Sequence, residues 1–355
     1  MAISLRGGSN YPYAVARVQA KRSQLIPASD YEKILKMDVS EITRTIEESV
    51  YKTEVDELAS KFSGLDLLEA ALTVNAERTF DAVRRMVSGE GGELVTLFLD
   101  RHHFEDIKTL LRGKLAGATR DELLREMVLE SPAALAMFAP ALAEDVKSIP
   151  DIIAAFERQG ATGREWAAIL ARVSPGSPLS HYEDALDKAY YARLLSRLEG
   201  SKQKGALDML EFIRREVDVR NLLNAARWVA SGETEDFSGY VIPGGKHIPI
   251  AAVMSMSRSK DLDALAEQLA DLKGYSSVRE ELQKARESKR LGTFQQAVWR
   301  VHLADLDRLA HGHPLSLIPI LSFLLRKQRE VITLRAVARG KAAGLSEARL
   351  RELIA

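Results

Sequence analysis

Ile107-Lys108-Thr109-Leu110-Leu111-Arg112-Gly113-Lys114, Val219-Arg220-Asn221-Leu222-Leu223-Asn224-Ala225-Ala226 and Leu334-Arg335-Ala336-Val337-Ala338-Arg339-Gly340-Lys341 are three versions of one pattern. Each opens on an apolar residue followed by a basic one, and each continues at helical period. The spacings are 219 − 107 = 112 and 334 − 219 = 115 residues, and a third of the 355-residue chain is about 118. That agreement predicts three similar helical units in tandem, at 1–118, 119–235 and 236–355. The outer copies agree further: Arg112-Gly113-Lys114 returns as Arg339-Gly340-Lys341, and Gly117 returns at the same offset as Gly344. The middle copy is the most diverged, with Asn224 and Ala226 where the others carry Arg and Lys. Three such units close into a ring if each is turned by a third of a rotation from the last, leaving a concavity on the axis.

The rest of the chain reads as helix. Leu262, Leu265, Ala266, Leu269 and Leu272 share one face, as do Tyr182, Ala185, Leu186, Ala189, Tyr190, Arg193 and Leu194, with the arginine stem lying along the stripe. Helix starts of the Ser/Thr-x-x-Glu kind stand at Ser29 to Glu32, Thr119 to Glu122 and Ser180 to Glu183. Only Tyr240 to Ile248, with β-branched residues around Gly244-Gly245, signals a strand, and it predicts one short β-hairpin at most. Gly89 to Gly92 and Ser174 to Pro178 read as loops between helical blocks. The expected fold class is therefore all-α, with one optional hairpin near 240–248.

Composition removes several functions. Fifty Lys+Arg balance fifty Asp+Glu, so the bulk positive charge of a nucleic-acid binder is missing. The chain has no cysteine, which excludes disulfides, thiolate zinc sites, iron–sulfur clusters and cysteine nucleophiles together. Its most apolar runs, Ala133 to Ala143 and Leu315 to Leu325, are broken by Pro140 and Pro319 and fall far short of the roughly 20 residues that span a bilayer. The opening Met-Ala-Ile-Ser-Leu-Arg-Gly-Gly has no apolar run of signal-peptide length, and any membrane association is expected to be peripheral.

No catalytic motif stands out. A phosphate loop ends in Gly-Lys-Ser/Thr, whereas the Gly-Lys pairs at Gly113, Gly245 and Gly340 are followed by Leu115, His247 and Ala342, none of which offers magnesium a hydroxyl. Gly89-Glu90-Gly91-Gly92-Glu93 is glycine-rich but acidic and would repel phosphate. His102 and Asp106 stand one helical turn apart, a spacing open to a metal or an acid–base pair as well as to ordinary helix pairing. His311 and His313 lie in a turn without partner ligands, and no serine or lysine is marked as a nucleophile. No catalytic, cofactor or metal site is expected.

What survives is repeated charge. Lys108, Arg220 and Arg335 occupy matching positions in the three copies, and Arg112 and Arg339 match one turn on; Arg17, Lys21 and Arg22 form a second basic cluster near the start. One reading is intramolecular ion pairing. The other is a basic lining around the pseudo-axis that faces an acidic partner, with these eight residues as contacts.

A resemblance joins these features. Tyr13 to Ser23 followed by Leu25, then Glu48-Ser49-Val50-Tyr51, the 108–114 segment, Val241 to His247 with its Gly-Gly, and Leu324 to Lys327 through Ala338 to Leu345 run in the order and spacing of the C subunits of archaeal and bacterial A/V-type ATPases. The chain resembles that family over its full length, and through it the d subunit of the vacuolar ATPase. The resemblance implies a pseudo-threefold funnel of three helical domains. It implies a non-catalytic rotor component on the cytoplasmic face of the membrane, between the proteolipid ring and the central stalk of subunits D and F, with no cofactor and no nucleic acid. On the residues alone, an all-helical repeat scaffold of unrelated function, or an enzyme with a dispersed site near His102 and His103, stays open.

Overall fold

The computed structural model describes residues 9–129, 132–233, 236–272, 274–288 and 290–354. The opening octet, which carries no leader-like apolar run, lies outside them. Among the described residues there are nineteen α-helices and no strand. In order they are α1 (Tyr11–Arg22), α2 (Ala28–Ile34), α3 (Val39–Glu47), α4 (Lys52–Leu58), α5 (Gly64–Met86), α6 (Gly89–Leu99), α7 (Arg101–Ala116), α8 (Arg120–Glu126), α9 (Pro132–Phe138) and α10 (Ile149–Glu157). The chain continues through α11 (Gly160–Ala171), α12 (Leu179–Leu198), α13 (Lys204–Ser231), α14 (Ile250–Ser257), α15 (Leu262–Ala270), α16 (Arg279–Ser288), α17 (Gly292–Gly312), α18 (Ile318–Ala342) and α19 (Glu347–Arg351).

Two compact units result. One is Val39–Leu194 together with Ser9; the other combines Asn10–Asp38 with Leu195–Ala355. Gly117 (φ 78°) and Gly232 (φ 71°), both in left-handed backbone, stop α7 and α13.

The Val39–Leu194 unit is built on α5, against which α3, α4, α6 and α8 pack. Leu67, Leu68, Leu72, Phe80 and Val83 recur at helical spacing on its buried face. Phe138, Phe156 and Trp166 form a second nucleus, with ring centroids 5.3 to 5.7 Å apart in tilted and edge-on pairs.

The other unit centres on α13, α17 and α18. The apolar run 317–325, too short to cross a bilayer, is wholly buried at the start of α18. No helix among the described residues is long and apolar enough to cross a membrane. The amino-terminal segment is stitched onto this unit: α1 packs on α18, Arg22 pairs with Asp307 at 2.8 Å, Ile26 N–H donates to Glu330 at 2.7 Å, and Lys341 donates to the Leu35 carbonyl.

The repeat is visible in how α7 and α18 end. Ala118 N–H donates to the Gly113 carbonyl at 2.8 Å, and Leu345 N–H donates to the Gly340 carbonyl at 2.9 Å, the same six-to-one bond over Gly117 and Gly344. A short helix then folds back and sets a leucine on the glycine. A Cβ on Gly113 would lie 2.3 Å from Leu123, and one on Gly340 would lie 2.4 Å from Leu350. A side chain at either position would have to displace the leucine from the space it fills. In the middle copy Ala225 is buried and α13 runs on to Ser231.

Three local expectations are corrected. The 240–248 segment forms no hairpin, because side chains of α13 saturate the backbone groups a strand pair would use. Asn221 donates to the Ile242 carbonyl and accepts its N–H, both at 2.8 Å; Asp218 accepts from Lys246, His247 and Ile248 at 3.1, 2.7 and 3.1 Å. Gly89 to Gly92 is not a loop but the first turn of α6, where a Cβ on Gly92 would sit 2.6 Å from the Val87 carbonyl oxygen. Ser29 and Ser180 lie inside α2 and α12 rather than capping them, since Pro27 and Pro178 stand immediately ahead of both helices and start them sooner. Thr119 does cap α8 with Glu122, and Ser148 with Asp151 caps α10 in the same reciprocal way. Ser174 to Pro178 is the loop expected, and Leu262, Leu265, Ala266 and Leu269 line the buried face of α15.

Candidate functional site

The matched basic positions do three different things. In the first copy, Lys108 is buried, with its ammonium 2.6 Å from Asp187 and 3.1 Å from Glu105, and Arg112 reaches Glu183 at 2.6 Å. Asp187 and Glu183 lie one turn apart on α12, so the two cations of α7 form consecutive rungs along it. In the second copy, Arg220 lies over the Trp299 ring, 5.8 Å from its centroid. In the third, Arg335 and Arg339 lie partly exposed on α18 and have interactions of their own. Near the start of the chain, Arg17 is exposed and donates to the Tyr13 hydroxyl at 2.7 Å, Lys21 is partly exposed, and Arg22 is held by Asp307.

His102 and His103 sit in an apolar nucleus. His102 stacks on Phe80 at 4.4 Å, and burial, reinforced by the Arg101 charge, pushes its pKa down to about 3. His103 packs against Trp166, and burial with Arg193 and Arg84 lowers it to about 4. Both rings are neutral near pH 7 and held for packing. Asp106 accepts the Val128 N–H at 2.8 Å and so fastens the chain after α8. No group of three or more metal-ligating side chains occurs among the described residues.

Two classes of residue escaped the sequence reading. Asp106 and Asp218 each stand one position before a repeat copy, and both hold backbone amides of the returning chain. Extending the alignment by one residue would have exposed that pair. The second is the surrounding of Trp299, one of only three tryptophans. Its ring carries Arg220 and also Arg329, whose guanidinium lies 4.8 Å from the centroid and donates to Gln296 at 2.8 Å. Gln295, next along α17, accepts from Arg227 of α13 at 3.4 Å. Burial, and then the Arg220 charge, holds Arg329 down to about 10. No sequence pattern marks Arg329, because it lies outside the repeated octet and only the packing of α13, α17 and α18 brings it to the ring.

The described residues define an all-helical protein built from capped, glycine-notched helices. Comparison with known proteins makes this specific. The ATP synthase (C/AC39) subunit family matches residues 14–353, and the chain belongs to that family. The A-type ATP synthase C subunit of Methanosarcina mazei is 32% identical over 354 residues, covering 98% of this chain and 93% of that protein. The proteins of the same name from Haloferax volcanii and Halorubrum lacusprofundi are 32% and 33% identical, each covering 97% of both chains.

Proposed function

We propose that this chain is a non-catalytic rotor adaptor of an A/V-type ATP synthase. It links the central stalk, subunits D and F, to the membrane ring of proteolipid subunits, so that ATP synthesis or hydrolysis is coupled to proton or sodium translocation. The observation that carries this reading is the family match along residues 14–353, together with near-complete coverage of relatives named as the C subunit of A-type ATP synthases. In this reading the chain is three repeated units, 1–118, 119–235 and 236–355, arranged as a pseudo-threefold funnel, and the helix stops shared by α7 and α18 support the likeness of the first and third units. Long helices such as α13 and α18, with buried close-packed faces, suit a part that transmits torque. Such a part works by contact and needs neither cofactor nor nucleic acid.

In this reading the protein sits peripherally on the cytoplasmic face of the membrane, held by the ring. Its partner contacts are drawn from Arg17, Lys21, Arg22, Lys108, Arg112, Arg220, Arg335 and Arg339. Lys108 acts by holding α7 and α12 together, since its charge is satisfied by Asp187 and Glu105. Arg17 and Arg112 are exposed, whereas Arg335 and Arg339 are half-buried.

Reconstitution of ATP-driven ion pumping tests the proposal. The soluble head with its stalk and the membrane rotor are combined with and without this purified chain. Pumping only in its presence, with ATP hydrolysed in both cases, is the expected result; equal pumping without it overturns the reading.

A further inference from the structure

Arg329 is out of keeping with the arginines around it. Arg22 and Arg326 share Asp307 at 2.8 and 2.6 Å, and Arg215 is paired with Glu211 and Asp305. Among the described residues no carboxylate lies within ion-pair distance of Arg329. The neighbouring Glu330 is committed to Lys327 at 2.9 Å and to the Ile26 N–H. Arg329 has one neutral acceptor, Gln296, one aromatic face, Trp299, a second guanidinium, Arg220, on the same ring, and the partly buried neutral phenol of Tyr31 nearby. A partly buried cation without a counter-charge is costly, because desolvation is not repaid by an ion pair. Arg329 nevertheless keeps part of its surface open to solvent.

We propose that Arg329, walled by Trp299 and Arg220, receives a carboxylate side chain from a protein partner. The fork of a guanidinium suits a carboxylate, and the ring holds the fork in place. A phosphate group is the poorer fit, since phosphate sites recruit backbone N–H groups at helix starts, whereas Arg329 and Arg220 lie in the middle of α18 and α13. One turn beyond Arg329 on the same face of α18, Ile332 is 45% exposed and offers an apolar contact beside the charged one, as protein interfaces do. That this partner is the D–F stalk rests on the function proposed above.

Two readouts on the full chain test this. Arg329→Met, which keeps the stem and removes the charge, is expected to melt higher than the unaltered chain and, while folded, to bind the purified D–F pair at least about tenfold more weakly; each tenfold loss is about 1.4 kcal/mol. Arg329→Lys should lie between them in affinity. A lower melting temperature for Arg329→Met shows the charge to be satisfied within the chain and overturns the proposal, and so does unchanged affinity. If the unaltered chain does not bind the D–F pair, the rotor reading is what fails. The Trp299 indole N–H signal, followed during titration with a hexaglutamate peptide, then decides the site by itself. A shift that disappears in Arg329→Met supports it. No shift, or an equal shift with inorganic phosphate, overturns it.

Discussion

The chain returns after α7 and after α13 by different means, although the two helices carry copies of one sequence pattern. After α7, Gly113 removes a side chain so that Leu123 of α8 can seat on the helix, and single carboxylates hold the returning backbone: Asp106 on Val128 and Glu77 on Leu129, each at 2.8 Å. After α13 there is no notch. Asp218 alone accepts three amides and Asn221 grips Ile242 at two points, so an irregular loop is anchored directly to α13. Apolar contact and backbone hydrogen bonding are thus combined after α7, whereas hydrogen bonding dominates after α13. Both copies use side-chain acceptors, and the copy without the glycine concentrates more of them, on Asp218 and Asn221.

The largest effect that separates the two regions is expected at Asp218. Asp218→Ala leaves three amides without their acceptor and should destabilise the protein by on the order of 3 kcal/mol, whereas Asp106→Ala, which frees one, should cost about 1 kcal/mol. Denaturant unfolding of both variants measures the difference, and equal losses would remove the distinction between the clamps.

Next come the notches. Gly113→Ala and Gly340→Ala press a methyl group into buried leucines and should cost about 1 to 3 kcal/mol each. Ala225→Gly meets no such constraint and should lose only about 1 kcal/mol of helix propensity. Combining Gly113→Ala with Leu123→Ala should recover part of the loss, and strict additivity of the pair would refute direct contact as the cause.

A smaller effect sharpens the α7 side through pH. Burial raises Glu77 to about 7, with the Leu129 N–H and Arg78 opposing. Since its folded pKa exceeds the unfolded value near 4.5, its stabilising contribution is complete below that value and is lost as pH rises through 7. Stability followed from pH 5 to 8 should therefore fall more steeply for the unaltered protein than for Glu77→Gln; matching slopes would place the titration elsewhere. The smallest contrast is at the two short helices. Thr119 caps α8 through its side chain and Ser346 does not cap α19, so Thr119→Ala should cost about 1 kcal/mol and Ser346→Ala less, as thermal melts can resolve.

The repeated octets, their spacing and the helical stripes are legible because 3.6-residue periodicity and terminal glycines are local properties, written into consecutive residues. The lack of a strand among the described residues is only partly legible. Tyr240 to Ile248 carries strand-like residues, and what prevents pairing is Asp218 and Asn221, more than twenty positions before the backbone groups they hold. The basic positions are legible as a set but not in their roles. Nothing near Lys108 in sequence reveals that Asp187 neutralises it, and the octets do not distinguish that lysine from Arg220 on its tryptophan.

Residue type and short-range spacing are enough to specify a predominantly helical chain, the spacing of its repeated octets, the lack of catalytic motifs in its sequence and the family to which it belongs. Packing alone settles which glycines receive a leucine, which acids hold the returning backbone, which cations are satisfied within the chain, and that Arg329 has no counter-charge among the described residues. Those outcomes depend on distances between helices far apart in the chain, where charge and hydrogen-bond energies change over a few ångströms and residue identity does not encode the separation.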